Sequence, residues 1–153
     1  MDAFFNGEGR LDLFVEVCDS LDIKIQSRVK ARALEIPVVM DTNDRGMLDI
    51  ERLDLEPRRS LFHGLLDAHT DPAGSVKLTP ENRMAILMAL VSFEALSERM
   101  KLSMGEIGKS ISTWPQPASS VILGGAITTD ICRRILLGQH AGSGRFYVDL
   151  DEI

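Results

Sequence analysis

The chain is expected to fold as one α/β domain, and three features of its sequence predict this. Leu11 to Val17 is a seven-residue run rich in Leu, Phe and Val, and Asp19-Ser20 directly after it is a helix-opening pair. Pro37-Val-Val-Met40 reads as a second buried strand, entered from an amphipathic stretch that ends at Glu35-Ile36. Further on, 79–101 and 121–137 are long apolar segments bounded by Pro and Gly, as helices covering a sheet would be. At 153 residues the chain has one domain's length and can bury a core of its own.

Composition narrows the function classes. The hydrophobic fraction of 44% and charged fraction of 26% are those of an ordinary globular protein. A net charge of −6 argues against nucleic acid as a partner, because phosphate backbones are bound by basic patches. Two cysteines, Cys18 and Cys132, make neither a disulfide framework nor a four-cysteine zinc site. The opening Met1-Asp-Ala-Phe-Phe-Asn is too short and acidic for a signal peptide, and no apolar run approaches bilayer length. A cytoplasmic location without membrane contact is the expectation.

Taken in order, residues 1–54 read as strand, helix and strand with a possible third strand. The first helix runs from about Leu21 to Glu35 on an apolar stripe of Leu21, Ile25, Val29 and Ala33, while Lys24, Arg28 and Arg32 repeat on another face that reads as solvated. Asp19 has two readings. As an N-cap it accepts the free amides of the first helical turn; as a site residue it stands where ligands bind in open α/β sheets, beyond the carboxyl end of a strand. Asp41-Thr-Asn-Asp-Arg-Gly46 is a polar turn, and Met47 to Asp54 is expected to return as a third strand.

Residues 55–78 hold Pro57, Pro72, Gly64 and Gly74 and read as a long crossover loop, with His63 beside Gly64 placed where it could line a site. His63 and His69 lack a third ligand at zinc spacing. The helical part, 79–138, opens at Thr79-Pro80-Glu81 and continues to about Lys101, with an apolar face over 84–96 broad enough to be buried on more than one side. Ser103-Met-Gly-Glu106 fits a capping box for a shorter helix. Trp114-Pro-Gln-Pro117 breaks the chain, Ser119 or Ser120 caps a helix over Val121–Leu137, Gly124-Gly125-Ala126 permits close packing, and Gly138 closes it. Residues 145–150 read as a terminal strand.

The order of these pieces resembles the second half of the ThiF/MoeB adenylyltransferase family, relatives of ubiquitin-activating enzymes. The resemblance is carried by the strand, Cys18-Asp19-Ser20, Lys24 one turn on, the helix to Ile36 and the strand Pro37-Val-Val-Met40. It extends to the Gly/Ala-rich segment Ser119–Gly138, and Asp44–Pro57 with Leu61-Phe-His-Gly64 is similar to a bacterial subgroup joined to a nitroreductase-like module. The resemblance implies a partial Rossmann-like, ThiF-type three-layer fold lacking the N-terminal Gly-rich nucleotide-binding half; no G-x-G-x-x-G follows a strand here. It implies ATP and Mg²⁺ as cofactors, Asp19 as the catalytic and metal-proximal carboxylate, and Lys24 as a phosphate contact. The substrate implied is the C-terminal carboxylate of a ubiquitin-like or sulfur-carrier protein. The expected partner is a missing N-terminal half-domain or a second copy of the chain. Two other readings stand beside this one: a non-catalytic interaction module, and an unrelated small enzyme using Asp19 with a histidine.

Overall fold

The computed structural model describes residues 1–71 and 76–153. The run 11–17 pairs as a strand only over Phe14–Val15 (β1), because it follows a short helix, α1, Asp2–Asn6, and leads straight into α2, Leu21–Ala33. Val38–Thr42 (β2) lies parallel to β1, with Phe14 opposite Val38 and Val15 opposite Val39. The predicted third strand forms as β3, Met47–Glu51, antiparallel to β2 across the polar turn. There Arg45 and Gly46 both take positive φ, and Asp44 accepts the Met47 amide. The last strand, β4, Gly144–Tyr147, pairs antiparallel with β3, and the sheet order is β1-β2-β3-β4. Its predicted end at 150 is a 3₁₀ turn, Leu150–Glu152.

Register assigns the two faces of this sheet. Val39, Leu48 and Ile50 meet Ile131 and Ile135 of α5, Ala118–Leu136, which packs on β2 and β3. Phe14 and Val38 meet Phe5, Ala31, Ile36 and Leu53 on the opposite face. The close-packing reading of Gly124 holds: a Cβ there would overlap the Asp41 carboxylate of β2. α5 begins at Ala118, three residues before the predicted start at Val121, with Pro117 as N-cap and no capping side chain, so neither Ser119 nor Ser120 caps it. Gly138 does close it, at φ 68°, with the Gln139 amide on the Arg134 carbonyl and the Gly138 amide on that of Ile135.

The helical part departs from expectation. The predicted helix over 79–101 is two helices: α3, Arg83–Val91, and α4, Glu98–Glu106. Ser92 in the left-handed region stops the first, and Ser97 starts the second by accepting the Met100 amide at 3.1 Å. Ser103 and Glu106 therefore lie inside α4 and form no capping box. Thr79 and Asn82 exchange side-chain-to-amide bonds in a turn before α3, so the helix begins at Arg83 and not at Thr79-Pro80-Glu81. Only Ile86 and Leu90 of α3 are buried, and Met84 is exposed, so the broad apolar face of 84–96 is not covered on several sides.

Within 55–71 the loop is not irregular. Two short 3₁₀ turns, Leu61–Gly64 and Asp67–His69, drive Phe62 and Leu66 into a core with Leu21, Ile25, Ile86 and Leu90. Pro72 and Gly74 lie outside the described residues. No helix among the described residues is long and apolar enough to cross a membrane.

Candidate functional site: a buried ionic layer under the open sheet edge

Asp19 is exposed at the carboxyl end of β1, and its side chain makes no hydrogen bond or ion pair with a described residue. Ser20, not Asp19, is the N-cap of α2, its Oγ accepting the Ile23 amide at 3.4 Å. Lys24 is paired within the chain. Its Nζ lies 3.1 and 3.0 Å from the two carboxylate oxygens of Glu16, the residue directly after β1.

Glu16 is the residue that sequence reasoning missed. It is 2% exposed and gathers three donors: Lys24, the Arg28 guanidinium at 2.8 Å and the Cys18 amide at 2.8 Å. Arg28, expected on a solvated face, is wholly buried, and the inward stripe of α2 is Leu21, Ile25, Arg28 and Ala31 rather than one through Val29 and Ala33. The reason lies in the sheet. Arg28 Nε donates to Glu51 at 2.7 Å, so one guanidinium bridges the carboxylate just after β1 and one on β3. A buried ion pair repays its desolvation only with such geometry and several hydrogen bonds.

The layer continues across the sheet. Asp49, opposite Met40 on β2 and Arg145 on β4, receives Arg145 Nε at 2.5 Å, and Arg145 also reaches Ser92 Oγ at 3.1 Å. His63 Nε2 lies 3.1 Å from Asp49, a charge contact without hydrogen-bond alignment, while Arg59 donates to His63 Nδ1 at 3.2 Å. Since a guanidinium only donates, Nδ1 is the acceptor in that contact. His63 is thus held in the ionic layer, and no hydroxyl or thiol of a described residue is hydrogen-bonded to it.

Phe62 and His63 both adopt left-handed backbone, at φ 52° and 57°. Such conformations cost on the order of 1–3 kcal/mol each and persist only where the surroundings dictate them. Here Glu51 accepts the Phe62 amide at 2.8 Å and the Arg28 guanidinium stacks 4.3 Å over the Phe62 ring. Arg28 and Glu51 therefore fix helix, sheet and loop together.

Electrostatics divide the three carboxylates. Burial alone would raise Glu16, but Cys18, Arg28 and Lys24 outweigh it and hold the group below its ordinary range. Burial is likewise overcome at Asp49, by His63, Arg145 and Arg28. At Glu51 burial prevails over the neighbouring Arg28, with Asp49 adding to it, and the carboxyl is raised. The layer is not saturated: Arg28 Nη2, Arg59 Nε and Arg145 Nη2 are buried without a hydrogen-bond partner among the described residues.

Two concavities mark the surface. One, of about 500 Å³, runs along the outer edge of β1, lined by Phe4, Phe14, Val15, Val17 and Ile23 with Glu16 at its base. The other, of about 380 Å³, lies between the β2–β3 turn, α4 and Pro115 and Pro117. Asp19 offers a single carboxylate, Lys24 is taken by Glu16, and no group of three or more His, Cys, Asp or Glu side chains among the described residues could hold a metal ion. The residues present do not by themselves make a Mg-ATP site.

Fold and site define a mixed α/β protein with a four-stranded mixed sheet, an apolar groove on one edge and a buried ionic layer beneath it. No protein-family model and no solved structure matches the chain. A protein of Mycobacterium tuberculosis (strain CDC 1551 / Oshkosh), itself described as uncharacterized, is 40% identical to it over 150 residues, covering 98% of this chain and 20% of that protein. The chain thus spans one fifth of the length of the curated relative it matches.

Proposed function

We propose that the chain is the second half of a Rossmann-like, ThiF/MoeB-type adenylyltransferase domain, inactive until further polypeptide completes it. The observation that carries this reading is Asp19, left unpaired at the carboxyl end of β1 beside the N-terminus of α2, where open α/β sheets bind their ligands. In the completed domain the ligands are Mg-ATP and the C-terminal carboxylate of a ubiquitin-like or sulfur-carrier protein, with phosphate-holding groups supplied from outside this chain. The mycobacterial relative, in which the matching stretch is one fifth of the whole, supports a module that works within a longer polypeptide. A nitroreductase-like module joined to it and a cytoplasmic setting, compatible with two free thiols, belong to the same reading.

One observation favours the second reading, a non-catalytic interaction module: Lys24 is committed to Glu16 and gives a phosphate no cation. Carboxylate-dependent exchange of pyrophosphate into ATP separates the two. Fused or mixed with an upstream half-domain, the wild-type chain is expected to support exchange, and Asp19→Asn to lower it by about a hundredfold, the scale of losing one group that stabilises developing charge. Exchange that survives unchanged in Asp19→Asn removes Asp19 from the chemistry. No exchange in any completed form leaves the interaction module.

A further inference from the structure

The outer edge of β1 is unprotected. The amides of Phe14 and Glu16 are spent on β2, donating to the carbonyls of Pro37 at 2.9 Å and Val39 at 2.8 Å. Alternation along a strand turns the amide and carbonyl of Val15 the other way, toward the open side. Of the devices that usually blunt such an edge, β1 has only its shortness, two paired residues; it carries no proline or edge lysine, Glu16 points inward but is fully paired, and Val15 and Val17 stand out at 39% and 62% exposure.

The side chains beside this edge are apolar on both faces of the sheet. Phe4 and Phe14 lie toward the α2 side, Val17 stands on the side that α5 leaves uncovered because α5 packs on β2 and β3, and Ile23 closes the groove at the start of α2. A strand laid here meets apolar side chains on both of its faces, as strands buried on both faces do.

We infer that the β1 edge and its groove are a docking surface for one extended, apolar strand of a partner polypeptide, which enlarges the sheet beyond β1. This rests on the completed-domain reading for the partner's origin but not for its shape. A second copy of this chain is the poorer occupant. Its own β1 offers two paired residues, and each copy carries a net charge of −6. The relative supplies the other argument, because there the matching stretch sits within a chain about five times as long.

The test mixes the purified chain with the remaining polypeptide of the mycobacterial relative, expressed separately as the segments flanking the matching stretch. Amide hydrogen exchange is then read residue by residue. Binding of one segment is expected to slow exchange at Val15 and Val17 by about tenfold or more while Phe14 and Glu16, already bonded to β2, change little. Val15→Pro removes the outward amide without touching a bond to β2 and is expected to abolish binding, whereas Val15→Thr keeps it. The circular dichroism of Val15→Pro, matched to wild type, verifies that the fold survives; if it does not, Val17→Lys, which places a charge in the groove, takes its place. Failure of both segments to bind, protection elsewhere than the β1 edge, or a homodimer protected at that edge would each overturn the inference. Binding without any ATP–pyrophosphate exchange would sink the catalytic reading and leave the docking surface standing.

Discussion

Glu16, Lys24 and Arg28 show how one residue's setting reverses its expected role. Asp19, the carboxylate that sequence position makes conspicuous, is free at the surface, while Glu16 three residues earlier holds two cations in the interior. The pH dependence follows from the direction of its shift. Glu16 titrates below its ordinary 4.5 in the folded chain, so the stabilisation it gives is complete above that value and drains away as pH falls through the lower folded one. Asp49 acts in the same sense below 3.8, and Glu51, raised by burial, opposes both. Glu16→Gln is expected to flatten the acid limb of the stability–pH curve and to destabilise the chain near neutrality by about 1–3 kcal/mol, since buried cations lose a charged partner. Urea unfolding between pH 3 and 7 measures both; an acid limb as steep as that of wild type would place the titration elsewhere.

At the scale of an element, α2 ends in a six-residue reversal. The Ile36 amide bonds to the Ala31 carbonyl at 2.9 Å and the Glu35 amide to that of Arg32 at 3.1 Å, with Glu35 at φ 51° in the position that glycine usually fills. A glutamate there adds left-handed strain and puts a negative charge at the negative end of the helix. Glu35→Gly is expected to stabilise the protein by about 1 kcal/mol, visible as a higher urea midpoint with unchanged slope. The Arg10 bond to residue 35 survives the change because its acceptor is the backbone carbonyl, at 2.7 Å. The split between α3 and α4 obeys the same local logic: Ser92 at φ 56° ends one helix, and Ser97, which also donates to Asp44 at 2.5 Å, begins the next.

Across the whole molecule, the sheet is closed by a strand nearly a hundred residues from its partner. Arg145 on β4 neutralises Asp49 on β3, and Arg45 in the β2–β3 turn is held by Asp149 at 2.7 Å. A chain ending at Gly138 loses β4 and leaves Asp49 buried without Arg145; its stability is expected to fall by about 3 kcal/mol or more, as when one partner of a buried pair is removed. Ending instead at Val148 removes the half-buried Arg45–Asp149 pair and the exposed Arg99–Asp151 pair, leaves Asp49 with Arg145, and is expected to cost about 1 kcal/mol. Thermal unfolding of the two truncated chains followed by circular dichroism distinguishes them, and equal losses would show that β4 contributes nothing through Asp49.

The local signals in the sequence determined what local chemistry dictates. Apolar runs and caps located β2, β3 and most of α2 and α5, and Gly138 and the Asp41–Gly46 turn are where the chain's own backbone preferences put them. The stop of α3 at Ser92 has no sequence signal, because a serine with positive φ carries no pattern that its apolar neighbours do not mask. Only the tertiary structure decided which charges are interior. Glu16, Asp49 and Glu51 occupy alternate strand positions that would face water on a sheet covered on one side, and Lys24 and Arg28 repeat as a solvated helix face would. Laying α2 and the 59–66 loop over those strands removed the water, and once it was gone each carboxylate and each cation could be stabilised only by the other.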